Sequence, residues 1–120
     1  MAGSHLSFRM RSMCVYSGQI RRNRDLYHQA STDPLTRVAN RRAFLRRAIQ
    51  MFESHRAQSR PMSGLGLDLD HFKQLNDRFG HAAGDQVLVV VADRLQLSLR
   101  THDLLGRLGG EEFAIALPDT

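Results

Sequence analysis

The sequence predicts an α+β domain in which helices and a sheet pack as two layers. Three observations carry that prediction: apolar residues at helical spacing in two stretches, a period-two alternation in a third, and two apolar runs joined by a glycine-rich turn. The 120 residues suffice for one hydrophobic core and not for two comfortable ones. Apolar residues at 42% and charged residues at 24% are ordinary for a globular chain and exclude a disordered or fibrous one. No apolar run approaches the ~18 residues of a membrane span. The single cysteine, Cys14, cannot form an internal disulfide, which suits a reducing, cytoplasmic setting.

Taken in order, residues 1–18 show no clean period and read as a tag, a disordered stretch or a linker, with Met1 to His5 resembling a cloning remnant. Residues 19–31 are polar, with Ile20, Leu26, Tyr27 and Ala30 loosely spaced, and read as an exposed lead-in signalling helix from an upstream regulatory domain. Asp33-Pro34 turns the chain into a new unit, residues 32–120. Asn40 is placed to cap a helix over Arg41–Ser54, because Phe44, Leu45, Ala48, Ile49 and Phe52 recur on one face. Leu65, Leu67 and Leu69 alternate with Gly64, Gly66, Asp68 and Asp70, a strand that delivers Asp68 near its carboxyl end. His71–Phe79 is a short helix closed by Gly80. Asp85–Leu99 is a long one, with Leu88, Val91, Ala92, Leu95 and Leu99 on one face. Leu104–Leu108 and Phe113–Leu117 form a β-hairpin across Gly109-Gly110-Glu111-Glu112.

The net charge of +5 is unevenly spread. Up to Arg60 there are twelve arginines and three acids, Asp25, Asp33 and Glu53; from Pro61 onward nine acids face five bases. A basic chain favours a phosphate-bearing partner. Arg41, Arg42, Arg46 and Arg47 read as a solvated helix face, because the aromatic residue among them, Phe44, falls on the apolar stripe and none is interleaved on their own face as a nucleic-acid strand would require. His55 and His102 read as solvent-exposed.

The acid-rich second half is where cation chemistry is expected. A carboxylate at a strand end, as in Asp68-Leu69-Asp70, can hold Mg²⁺ or Mn²⁺ beside phosphates; the ordinary alternative is a solvated turn. Gly109 and Gly110 permit close approach of a ligand, and the adjacent Glu111 and Glu112 repel each other unless a cation neutralises them; a plain hairpin tip is the alternative. Lys73 can neutralise phosphate. Asn76 and Asp85 have the donors and acceptors to read a guanine edge, although Asp85 equally fits the N-cap of the long helix.

Together these pieces resemble the GGDEF family of diguanylate cyclases. The opening motif stands as Asp33-Pro34-Leu35-Thr36-Arg37-Val38-Ala39-Asn40-Arg41. The D-x-D-x-F-K-x-x-N-D-x-x-G-H-x-x-G-D pattern is complete from Asp68 to Asp85, and the signature loop is Gly109-Gly110-Glu111-Glu112-Phe113. The resemblance implies a palm-like antiparallel sheet flanked by helices. It also implies an enzyme, a nucleotidyltransferase condensing two GTP molecules into cyclic dimeric GMP (c-di-GMP) with release of pyrophosphate. Asp68, the Leu69 carbonyl and Glu111 would hold the divalent ions, with Asp68 and Glu111 converging across the sheet. Glu111, Glu112 and Lys73 would serve catalysis. Phe72, Lys73, Asn76, Asp85, Gly109 and Gly110 would bind GTP. Arg100-Thr101-His102-Asp103 matches the product-inhibition motif, with Arg100 and Asp103 on c-di-GMP; its ordinary alternative is a surface ion pair. Each domain binds one GTP, so turnover needs a homodimer.

The family domain continues beyond the position of Thr120 with helices, strands and a lysine and an arginine for the terminal phosphates. The sequence is therefore expected to be the N-terminal two-thirds of the domain, a fragment or a chain completed by a second copy. The alternative function is a catalytically incomplete GTP- or c-di-GMP-binding module. Arg37, Val38 and Ala39 replace the family's glycine, leucine and proline, with little expected effect.

Overall fold

The computed structural model describes residues 30–120. The tag or linker reading of residues 1–18 and the lead-in helix up to residue 29 lie outside the described residues. Six elements follow one another: α1 (Arg41–Ala57), β1 (Met62–Asp68), α2 (Phe72–Phe79), α3 (His81–Ser98), β2 (Leu104–Gly109) and β3 (Glu112–Pro118). The strands make one antiparallel sheet in the order β1-β3-β2.

Strand β3 is central, and its run Phe113, Ala114, Ile115, Ala116 is buried throughout. Alternation sends those side chains to opposite faces. Phe113 and Ile115 join Val38, Leu88, Ala92 and Leu105 in one core; Ala114 and Ala116 join Ala39, Ala43, Phe44 and Ala48 in another. The α+β class and the antiparallel sheet flanked by helices stand. Helices occupy both faces, α1 on one and α3 on the other, which adds a layer to the two that the sequence suggested.

The α1 face of the sheet is built of small residues. Gly66, Ala114 and Gly106 lie in one cross-strand row. A Cβ on Gly106 would lie 2.5 Å from the Cβ of Phe44, so the missing side chain is what lets α1 seat its phenylalanine. Asn40 caps α1 as expected: its Oδ1 accepts from the Ala43 N–H at 2.9 Å. The helix runs to Ala57, one turn past the expected Ser54.

Two boundaries differ more. Helix α3 begins at His81, not Asp85, because Gly80, at φ 91°, reverses the chain immediately after α2. Asp85 therefore lies inside the helix and is not its N-cap. His55, expected in solvent, is 8% exposed. Its Nδ1–H donates to the Met51 carbonyl at 2.9 Å, and its Nε2 lies 3.4 Å from Asp119, which Arg60 also grips at 2.6 Å. The end of α1 is thereby tied to the end of β3.

The opening motif folds as a tight turn. The Asp33 carboxylate accepts from the Thr36 N–H at 2.9 Å and the Thr36 hydroxyl at 2.7 Å, and it pairs with Arg107 at 3.2 Å. Burial alone would raise the Asp33 pKa; the Thr36 and Arg107 bonds outweigh it and hold the carboxyl below its ordinary 3.8. Arg37, within this turn, takes φ 67°. That is the left-handed region, costly for a side chain and easy for glycine.

Two outcomes follow from the turn. Arg37→Gly should raise the unfolding free energy by about 0.5–1 kcal/mol, read by denaturant melts; the replaced glycine would then matter more than the sequence suggested. Asp33→Asn should cost about 1–3 kcal/mol near neutral pH. Because the folded pKa of Asp33 is depressed, this contribution is present above about pH 4 and is lost as pH falls through the folded value. The difference between wild type and Asp33→Asn should thus shrink in melts below about pH 3. A difference independent of pH would contradict the assignment.

Candidate functional site

The candidate residues gather at one end of the sheet and on the α2–α3 pair. Asp68 closes β1 and is exposed. The β1–β3 register places Glu112 directly opposite it, and the Leu69 N–H donates to the Glu111 carbonyl at 3.2 Å. Residues directly opposite in an antiparallel pair share a face, with Cβ atoms about 4.5–5.5 Å apart. Asp68 and Glu112 therefore form the facing carboxylate pair. Glu111 sits one position out of register, in the two-residue turn with Gly110, opposite Leu69. The sequence expectation that Asp68 and Glu111 converge across the sheet meets this register: both acids lie at the same end, but Glu112 is the one opposite Asp68.

The hairpin owes its shape to its glycines. Gly109 and Gly110 have φ 151° and 47°, and a Cβ at either would meet nothing within 4 Å. The β2–β3 register slips by one residue between Arg107 and Gly109, a bulge that bends the strand into the turn. The space over the tip is open to a ligand.

Two like charges directly opposite each other are unfavourable without a counter-ion. Among the described residues, no three of His, Cys, Asp or Glu group closely enough to hold a metal. Two carboxylates and a backbone carbonyl are an incomplete ligand set of hard oxygens. That suits Mg²⁺ or Mn²⁺, which take the rest of their shell from water and phosphate. The residues present fit such an ion on that ground.

Helices α2 and α3 are joined at Gly80 and packed along their length. Phe72 and Lys73 open α2; Phe72 turns into the core and Lys73 is exposed. Asn76 sits a turn further on, against Gly84 of α3. A Cβ on Gly84 would collide with the Asn76 amide and come within 3.1 Å of the Phe72 ring. The Asn76 Oδ1 is buried and has no hydrogen-bond partner, a costly state for an amide oxygen. Asp85 follows Gly84 on α3 and is exposed. Asn76 and Asp85 are thus brought to one helix pair.

Arg100 and Asp103 lie in the link between α3 and β2. The guanidinium meets the carboxylate at 3.0 and 3.3 Å, and the Arg100 N–H also donates to it at 2.8 Å. Those contacts lower the pKa of Asp103 and raise that of Arg100. Arg100 also donates to the Pro118 carbonyl and the Thr120 hydroxyl, each at 2.9 Å. The pair is therefore a mutually satisfied ion pair, with the arginine side chain 58% exposed and the aspartate side chain 3% exposed.

Sequence reasoning missed one residue of the region. Arg107 interrupts the apolar run of β2, which was the available signal. Its Nε–H donates to the Gly110 carbonyl at 3.0 Å while its NH1 holds Asp33.

With this geometry in place, comparison with known proteins is direct. Residues 30–120 match the model of the family described as diguanylate cyclase, GGDEF domain. Diguanylate cyclase TpbB of Pseudomonas aeruginosa is 49% identical over 98 residues, covering 79% of this chain and 22% of that protein. The chain thus spans about a fifth of that curated relative. Among solved structures, diguanylate cyclase SiaD of Pseudomonas aeruginosa, in complex with its activator SiaC, is 41% identical with a TM-score of 0.73, over 86% of this chain and 40% of that one. The GGDEF domain of DgcB from Caulobacter crescentus, in complex with c-di-GMP, is 37% identical with a TM-score of 0.74, over 77% and 52%. With the family model matched over residues 30–120 and relatives of this identity on the same fold, this chain belongs to the GGDEF family of diguanylate cyclase domains.

Proposed function

We propose that the chain is the nucleotide-handling part of a diguanylate cyclase that joins two GTP molecules into c-di-GMP. The observation that carries this is the facing pair Asp68 and Glu112, one residue from the open Gly109–Gly110 hairpin. Asp68, Glu112 and the Leu69 carbonyl would hold Mg²⁺ or Mn²⁺. When bound, the ion neutralises triphosphate charge and acidifies a nearby hydroxyl.

The chain's own residues do the rest. Lys73, exposed at the start of α2, meets phosphate oxygens. Phe72 braces the turn that presents it. The Asn76 amide and the Asp85 carboxylate receive guanine, the exposed carboxylate accepting from its neighbouring N–H groups. Gly109 and Gly110 let the backbone lie against the nucleotide. Glu111, beside the metal pair and out of its register, serves the attacking hydroxyl. The 3′-hydroxyl of one GTP attacks the α-phosphorus of the other, and pyrophosphate leaves; a second such bond closes the ring. Two copies must face each other for this, so a homodimer is required, and a lead-in segment before Ala30 would control the encounter. Positioning and electrostatics supply the rate. Arg100 and Asp103 open from each other to take c-di-GMP and inhibit.

Incubation of the full natural protein with GTP and Mg²⁺ should yield c-di-GMP. Asp68→Asn and Glu112→Gln should each weaken Mg²⁺-dependent GTP binding at least about tenfold, a loss of ~1.4 kcal/mol. Glu111→Gln should abolish turnover with binding retained. The reverse pattern, with Glu111→Gln losing the ion and Glu112→Gln keeping it, would return the ion to Glu111. Tight c-di-GMP binding lost in Arg100→Ala, with no turnover in wild type, would select a sensory module instead. Gly84→Ala should displace the Asn76 amide and lower the preference for GTP over ATP by about tenfold or more, measured by calorimetry. An unchanged preference would remove guanine from the α2–α3 pair.

A further inference from the structure

We propose that Arg107 is a positioning residue that tethers the glycine hairpin to the opening turn of the domain, so that the place where the chain enters sets the posture of the nucleotide-facing tip. This deepens the reading above, since it takes the hairpin as the nucleotide loop.

The tip has little to hold it. Gly109 and Gly110 carry no side chains and have no neighbour within 4 Å of their Cβ positions. The bulge at Leu108 breaks the ladder just before them. Two contacts steady the turn from opposite flanks: the Leu69 N–H on the Glu111 carbonyl at 3.2 Å, and the Arg107 Nε–H on the Gly110 carbonyl at 3.0 Å. The first belongs to the sheet. The second depends on where a guanidinium is anchored.

That anchor is Asp33. Arg107 NH1 lies 3.3 and 3.2 Å from its two carboxylate oxygens, with both side chains under a fifth exposed and so shielded from salt. The Nε–H and NH1 donors point in different directions within the guanidinium plane, so both acceptors are held at once. Asp33 is itself fixed by Thr36, which is 4% exposed, and by its own N–H on the Val38 carbonyl at 2.7 Å. The backbone repeats the link: the Arg107 N–H donates to the Ala39 carbonyl at 2.9 Å, and the Ala39 N–H to the Leu105 carbonyl at 3.3 Å. Residues 33–39 and the hairpin therefore move as one body through Arg107. The Asp33 carboxylate, 74 positions from Arg107 in sequence, acts on the tip without touching it. Because its pKa lies below the ordinary value, the tether stays charged near neutral pH and responds to displacement of the turn rather than to protons.

The test is ¹⁵N relaxation of the hairpin amides in this protein, with Arg107→Met and Asp33→Asn. The second substitution keeps one side-chain acceptor oxygen for Thr36 and removes the charge that holds Arg107, turning the other oxygen into an N–H₂ donor. In wild type the Gly110 and Glu111 amides should show order parameters near ~0.85; in both variants they should fall below about 0.6, with α2 and α3 unchanged. The double variant should be no looser than Arg107→Met alone, since both break one tether. If Arg107→Met does not fold, Asp33→Asn decides. Wild-type order at Gly110 and Glu111 in Asp33→Asn would overturn the tether. GTP binding with Mg²⁺, measured on the same samples, separates the two readings. A wild type that binds no GTP removes the nucleotide role and leaves the tether to be judged by relaxation alone. Binding weakened about tenfold in both variants joins tether and site.

Discussion

The pairing of β3 between β1 and β2 is the constraint on which the rest depends. Its register decides which residues of the buried run Phe113 to Ala116 face α1 and which face α3. A slip of one residue would exchange the two sets, pressing Phe113 and Ile115 onto the Gly66–Gly106 row, where α1 needs small neighbours. Core packing thus forbids the slip. The same register, followed to the strand ends, sets Glu112 opposite Asp68. The acidic pair is held by the hydrophobic core and not by attraction between its members, which is how a protein can keep two like charges together for a cation to bridge.

The α2–α3 pair follows a second economy of small residues. Gly80 reverses the chain between the helices, and Gly84 leaves room for the Asn76 amide and the Phe72 ring. An amide oxygen buried there without a partner is unfavourable, a cost the packing of the two helices carries. Ion pairs elsewhere among the described residues join Arg60 with Asp119, Arg100 with Asp103 and Arg107 with Asp33. Asp68 and Glu112 are in none of those pairs.

Much of this was legible in the sequence because it is local. The Asn40 cap, the apolar stripe of α1 and the glycine turn of the hairpin each depend on residues a few positions apart. The start of α3 lies four residues before the expected Asp85 because Gly80 alone reverses the chain, and Gly84 serves packing inside the helix. His55 read as exposed because its partners, the Met51 carbonyl and Asp119, are invisible to helix periodicity. The left-handed φ of Arg37 has no signal in residue type. Long-range facts were harder still. The motifs named Asp68, Glu111 and Glu112 as one site, but which acid faces Asp68 is a matter of strand register between segments 44 positions apart. Arg107 was visible only as a charge in an apolar strand; its role needs Asp33, which meets it only in the folded chain.

Paramagnetic broadening by Mn²⁺ in the presence of GTP tests the facing acidic pair most directly. Added to ¹⁵N-labelled protein, the ion should erase the amide signals of Asp68, Leu69 and Glu112 first, and Asp68→Asn should remove the effect. Broadening centred on Asp77 or Asp93, or spread evenly over the acidic surface, would mean that the end of the sheet holds no ion and that the site has been read wrongly.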